Sequence, residues 1–140
     1  MYEIREEAVI SADAAAVWRV VTDVARWPEW DPHEDVARLD GEFVVGTTGW
    51  VKQKGNPGAS FTLTEVVPER RWASECALPG GKLWGSKEYE QLPGGKLRCT
   101  RTVRVTGPLV PLFRFHFGRR MRRDFFRTWT ALEARAAAVV

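Results

Sequence analysis

Hydrophobic and polar positions along the chain fall into three regimes. Residues 2–10 set Tyr2, Ile4, Val9 and Ile10 among charges, the content of a strand. Ser11 and Asp13 are capping residue types, and Val17, Val20, Val21 and Val24 then recur at helical spacing. This predicts a helix over 13–24. The stretch WPEWDP ends it, because Pro28 and Pro32 push Trp27 and Asp31 out of the helical region. From 33 to 106 the content turns β-branched and aromatic, with strands predicted near 34–40, 48–54, 60–67, 70–78, 83–92 and 96–106. Turn residues separate them: Asp40-Gly41, Gly55-Asn56-Pro57-Gly58, Pro68-Glu69, Pro79-Gly80-Gly81 and Pro93-Gly94-Gly95. After Gly107-Pro108 the period changes again. Phe113, Phe117, Met121, Phe125, Trp129, Leu132 and Ala136 form one apolar stripe of a long helix, with Arg119, Arg123 and Arg127 opposite and Arg120 and Arg122 on its shoulders.

This order predicts an α+β fold. Hairpin-joined strands give a seven-stranded curved antiparallel sheet, and the amphipathic C-terminal helix must bury its stripe against it. One or two short helices follow the first strand. Strand twist curls such a sheet around the helix, which can leave a space between them. The whole of 1–140 reads as a single domain. The repeated LPGGKL at 78–83 and 92–97 is not a phosphate loop, because no Ser/Thr follows the lysine and no helix follows the glycines. It reads as two hairpin turns.

Composition narrows the function classes. A net charge of +3 over 140 residues makes no case for nucleic acid. Cys76 and Cys99 lack metal or redox spacing. A reduced pair is expected, with a disulfide left open because both lie in predicted strands. His33 and His116 are far apart, so neither a metal site nor a cofactor is expected. The N-terminal MYEIREEAVI has no apolar core of a signal peptide, and no apolar run approaches a membrane span. A cytoplasmic protein without membrane insertion is the expectation. The arginines Arg119, Arg120, Arg122 and Arg123 read as a solvated helix face, with weak contact to anionic surfaces as the alternative.

Seven tryptophans are many for this length, and such side chains line cores, interfaces and cavities alike. Strand alternation sorts some of the candidates. On 96–106, Arg101 shares a face with Leu97, Cys99, Val103 and Val105, and an inward arginine needs a carboxylate, a carbonyl or an anionic ligand. On 70–78, Trp72, Ser74, Cys76 and Leu78 share a face. On 83–92, Leu83, Lys87, Tyr89 and Gln91 lie opposite Trp84, Ser86, Glu88 and Leu92, and either face could be concave. His33 beside Pro32 is the candidate acid/base group. No acid/base pair is legible on an apolar face, so the catalytic residues are unknown and enzymatic activity is left open.

Three stretches, ISADAAAVWRVVTDVARWPEWDP, LPGGKLRCTRTVRVTGP and FFRTWTALEARA, resemble in order the START-related superfamily of polyketide cyclases/dehydrases and lipid-transport domains. The resemblance implies a helix-grip fold, a short second helix or turn at Trp27–Trp30, Tyr89 facing inward, and a cavity for an apolar small molecule. The ligand-binding candidates are then Trp30, Trp50, Trp72, Tyr89, Arg101, Phe117, Met121 and Phe125. The same aromatic residues would equally make a filled core. The expected function is binding of a lipid, isoprenoid or aromatic, polyketide-like molecule. The alternative is an aromatase/cyclase-type enzyme acting in the same space. The oligomeric state is open.

Overall fold

The first strand, β1 (Tyr2–Ser11), hands over to α1 (Ala14–Thr22) at Asp13, whose carboxylate accepts the Ala16 N–H at 3.2 Å. That bond satisfies one of the open donors of the helix start. Val17, Val20, Val21 and Val24 are all buried, the predicted stripe. The structure, a computed structural model, describes residues 1–55 and 57–138, apart from the side chains of 116–125. The expectations for His116, Phe117, Met121, Phe125, Arg119, Arg120, Arg122 and Arg123 therefore lie outside the described residues.

A 3₁₀ turn (Val24–Arg26) and the single-turn helix α2 (Trp27–Trp30) follow α1. Pro28 sits in the first turn of α2, where a missing N–H goes unnoticed. Six strands come next: β2 (Glu34–Leu39), β3 (Thr48–Gln53), β4 (Ala59–Val67), β5 (Arg71–Leu78), β6 (Gly81–Leu92) and β7 (Lys96–Val105). The sheet order is β1-β7-β6-β5-β4-β3-β2, with every pair antiparallel. The chain thus enters at one edge, crosses by way of the helices to the far edge, and returns hairpin by hairpin until β7 pairs with β1. Gly80, Gly94 and Gly95 take positive φ in the two LPGGKL turns, as hairpin turns demand.

The C-terminal helix is less uniform than its stripe predicts. It begins as α3 (Val110–Leu112), passes through a π-helical turn at Phe113–Phe117, and becomes regular only in α4 (Gly118–Ala138). Inside the curl, α4 packs on β1 and α1. Trp129, Leu132 and Ala136 are buried there against Val17, Val21, Leu97 and Cys99. A second apolar cluster of Ile4, Val103 and Val105 gathers Leu78, Leu83, Val110 and Phe113. Cys76 and Cys99 are free thiols. They lie on β5 and β7 with β6 between them, and two strand spacings exceed the reach of a disulfide.

Trp50 is not where the sequence reading placed it. Val51 and Gln53 turn to the concave face, so Trp50, which alternates with them on β3 and does not line the cavity, faces outward. Its indole covers Gly58, where a Cβ would overlap the ring. The strand had been read without a cue to its inner face, and tryptophan on an outer face is affordable when it has a glycine to lie on. Gly49 does the same inside: a Cβ there would strike the Phe61 ring and the Arg38 carbonyl, so the glycine lets Phe61 lie across β3.

Candidate functional site

Between the two apolar clusters the concave face is not filled. A cavity of about 220 Å³ opens there, walled by Trp27 of α2, Val51 of β3, Phe61 of β4, Trp72, Ser74 and Cys76 of β5, Leu83 and Gly85 of β6, and Val103 of β7. Gly85 is one reason for the space. A Cβ on it would meet nothing nearer than the Thr102 carbonyl at 3.8 Å, so the missing side chain leaves room.

Among the described residues, three chargeable groups besides the Cys76 thiol reach this largely apolar space. Lys87 and Arg101 are direct cross-strand partners on β6 and β7, and both line the cavity. The Lys87 ammonium lies 5.0 Å from the Trp72 ring centre and 5.7 Å from that of Trp27. The two indoles, 5.8 Å apart and tilted by 35°, hold it by cation–π attraction. Among the described residues it has no hydrogen bond or ion pair. Burial, followed by the charge of Arg101, lowers its proton affinity to a pKa of about 8 from 10.5. Glu6 of β1 stands opposite Arg101 on its other side, on the same face.

The third group is Glu34, 8% exposed at the start of β2. The β2–β3 register slips between Glu34 and Val36, a bulge that turns Glu34 inward beside Gln53 while Val36 is left exposed. Glu34 Oε1 accepts a long, 3.5 Å bond from Gln53, and Oε2 is buried with no hydrogen-bond partner among the described residues. Burial first, and then the nearby Asp31 carboxylate, raise the Glu34 pKa from 4.5 to about 7. Asp31 is itself buried and accepts the His33 N–H at 3.0 Å, which shapes the turn from α2 into β2.

The paired tryptophans of RWPEW divide their roles. Trp27 donates its indole N–H to the Val21 carbonyl at 3.0 Å and offers its ring to the cavity. Trp30 packs against the main core and does not line the cavity, and its buried Nε1 has no partner among the described residues. Tyr89 faces inward but lies beyond the cavity wall, buried, where its hydroxyl accepts the Trp72 N–H at 3.1 Å. Burial pushes its phenol further up from the ordinary value. Trp18 and Phe43 complete this aromatic set by edge-on contacts with Tyr89 and Trp72.

Of the residues named from the sequence, then, Trp72 and Arg101 meet at the cavity, whereas Trp30, Trp50 and Tyr89 are elsewhere. His33 is not among the described lining residues, which include Glu34 and Lys87 as candidate acid/base groups. No such pair is legible in the sequence; the fold brings these two side chains to one cavity. Lys87 carried a signal, since it alternates with Tyr89 on the face favoured as concave. Glu34 carried none, because its inward aim depends on the bulge. Among the described residues no cluster of His, Cys, Asp and Glu could hold a metal ion, and no helix is long and apolar enough to cross a membrane.

A curled seven-stranded sheet gripping a C-terminal helix defines the helix-grip class. The sequence profile for polyketide cyclase/dehydrase and lipid transport matches residues 1–137, and the chain belongs to that family. Solved structures share the fold. A hypothetical protein from Helicobacter pylori superimposes with a TM-score of 0.83 at 13% identity, over 96% of this chain and 88% of that one. The Zhui aromatase/cyclase from Streptomyces sp. R1128 gives 0.79 at 14% identity, over 97% and 93%. A START superfamily protein from Mycobacterium smegmatis gives 0.73 at 13% identity, over 100% of both chains. No curated protein matches the sequence.

Proposed function

We propose that the protein binds one compact, largely apolar molecule with a polar end in this cavity. The observation that carries the reading is the set of Glu34, Lys87 and Arg101 on a wall whose other described residues are mainly apolar, among them Trp27, Phe61, Trp72, Leu83 and Val103, with Gln53, Ser74, Ser86 and the Cys76 thiol as further polar groups. Apolar surface with a few placed polar groups is how small-molecule sites are made. The volume is below the ~300–1,000 Å³ of drug-sized sites and favours a ring compound over a long lipid chain. Trp27 and Trp72 supply flat faces, and Arg101 and Lys87 favour an oxygen-rich or anionic end. Titration with 1-naphthol, read by tryptophan fluorescence, tests the site. Quenching that is saturable and is lost in Gly85→Leu supports it, and equal response in both proteins overturns it.

One observation favours an enzyme of the aromatase/cyclase kind as the second reading. Glu34 and Lys87 are an acid and a base held near neutrality in one cavity, the condition for proton transfer to and from a bound ligand. The aromatase/cyclase among the similar structures fits this reading. Turnover of a poly-β-ketone surrogate that disappears in Glu34→Gln while ligand binding persists supports the enzyme. Binding without chemical change supports the carrier. Contact of Arg119, Arg120, Arg122 and Arg123 with anionic surfaces is a separate proposal from the sequence. Salt-sensitive cosedimentation with phosphatidylserine vesicles tests it.

A further inference from the structure

Lys87 differs from the other described lysines in what surrounds it. Lys52 pairs with Asp35, Lys82 with Glu75, and Lys96 donates to Ser11, all at the surface. Lys87 alone lines the cavity, with its amine on two indole faces and no hydrogen bond or ion pair among the described residues. Arg101 is its cross-strand neighbour, and a cation beside a desolvated lysine is an arrangement that activates an amine as a nucleophile. Gly85, two residues back on the same face, leaves room for a group bonded to the nitrogen. Glu34 lines the same cavity, and its buried Oε2 has no hydrogen-bond partner among the described residues.

We infer that Lys87 is a covalent site, which captures a small apolar aldehyde or ketone as an iminium while Glu34 carries the protons. The inference rests on the cavity being the ligand site. The neutral amine attacks the carbonyl carbon, a C–N bond forms, and the carbonyl π pair moves to oxygen. The protonated Glu34 carboxyl gives that oxygen its proton, and the resulting carboxylate takes one from nitrogen, which leaves a carbinolamine. Glu34 then protonates the hydroxyl, the C–O bond breaks, and water departs as the nitrogen lone pair closes the C=N bond. One neutral amine, one carbonyl compound and the Glu34 carboxyl become one iminium cation, one water and the Glu34 carboxylate, with net charge unchanged and nothing oxidised or reduced. The iminium cation keeps the attraction of Trp27 and Trp72 that held the ammonium. The lowered proton affinity of Lys87 leaves part of it neutral at pH 7, where a surface lysine is almost wholly protonated.

The test is reductive trapping of the intact protein with benzaldehyde and sodium cyanoborohydride at pH 7, read by peptide mass mapping. The expected result is benzylation of Lys87 at least about tenfold faster than of Lys52, Lys54, Lys82 or Lys96. Glu34→Gln slows Lys87 alone by about tenfold or more and leaves the surface lysines unchanged. Benzyl alcohol, which fits the same space without a carbonyl, is titrated in parallel by tryptophan fluorescence. If the alcohol binds and Lys87 is trapped no faster than surface lysines, the covalent site is overturned and the binding reading stands. If the alcohol fails to bind and Lys87 is not trapped, both are overturned. Selective trapping that Glu34→Gln leaves untouched overturns the role of Glu34.

Discussion

Two halves of one sheet face invite comparison. Along β6 and β7 the cross-strand pair Tyr89–Cys99 and the neighbouring Leu97 belong to a filled core, in which Leu97 and Cys99 have no exposed surface. The next pairs on the same face, Lys87–Arg101 and Gly85–Val103, line a cavity. Strands, register and alternation are continuous across the boundary. The difference is in the side chains: the filled half meets Trp129, Leu132 and Ala136 of α4, whereas the open half holds two cations that resist desolvation and a glycine that fills nothing. The cavity arises here where packing stops within one sheet.

The filled half breaks most expensively. Leu97→Ala removes a wholly buried side chain and is expected to cost about 2–5 kcal/mol, read as a lower urea midpoint. The open half should respond in the opposite sense. Folded Glu34 keeps its proton up to about pH 7, whereas in the unfolded chain it loses it near 4.5. The folded state therefore binds more protons in that window, and stability falls as pH rises through it. Glu34→Gln abolishes the loss, so the variant should match the parent near pH 4 and exceed it by up to about 3 kcal/mol above pH 7. Urea unfolding at a series of pH values checks this, and a constant difference across the series would contradict it.

The boundary between the halves is the Trp72–Tyr89 bond. Trp72→Phe takes away the donor to the buried Tyr89 hydroxyl and should cost about 1–3 kcal/mol. It also replaces the indole face under Lys87 with the smaller and weaker face of a benzene ring, so a raised Lys87 pKa in the variant is not expected, and NMR titration of the amine distinguishes weakened cation–π attraction from a change in burial. The smallest stability effect belongs to Gly85→Val. The site has space for a Cβ and ordinary strand geometry, so the change is expected within about 1 kcal/mol. The same substitution should weaken binding of a ring ligand at least about tenfold, since the added methyls occupy the cavity. A variant that binds as before would place the ligand elsewhere.

The legible parts of the sequence were those with a local period or local turn chemistry. The helical spacing of Val17, Val20, Val21 and Val24, the glycines of the LPGGKL turns and the alternation of Leu97, Cys99, Arg101, Val103 and Val105 each describe a neighbourhood of a few residues, and each appears in the fold. Trp50 was misplaced because β3 offers no clear alternation, with Val51 and Gln53 facing in although tryptophan is the larger apolar group. Glu34 was missed because a bulge breaks the period that would have placed it, and a slip of one residue exchanges the two faces of a strand.

By itself the sequence determined the order of elements, the antiparallel sheet and the inward direction of Arg101, because helix and strand periods and hairpin turns are set by neighbouring residues. Only the tertiary structure decided that Trp27 rather than Trp30 faces the cavity, and that Glu34, Lys87 and Arg101 share it. Those three come from β2, β6 and β7, and β2 lies at the sheet edge farthest from β1, four strand steps beyond β6. Sheet curl brings such distant positions toward one space, and curl is a property of seven paired strands together that no local pattern records.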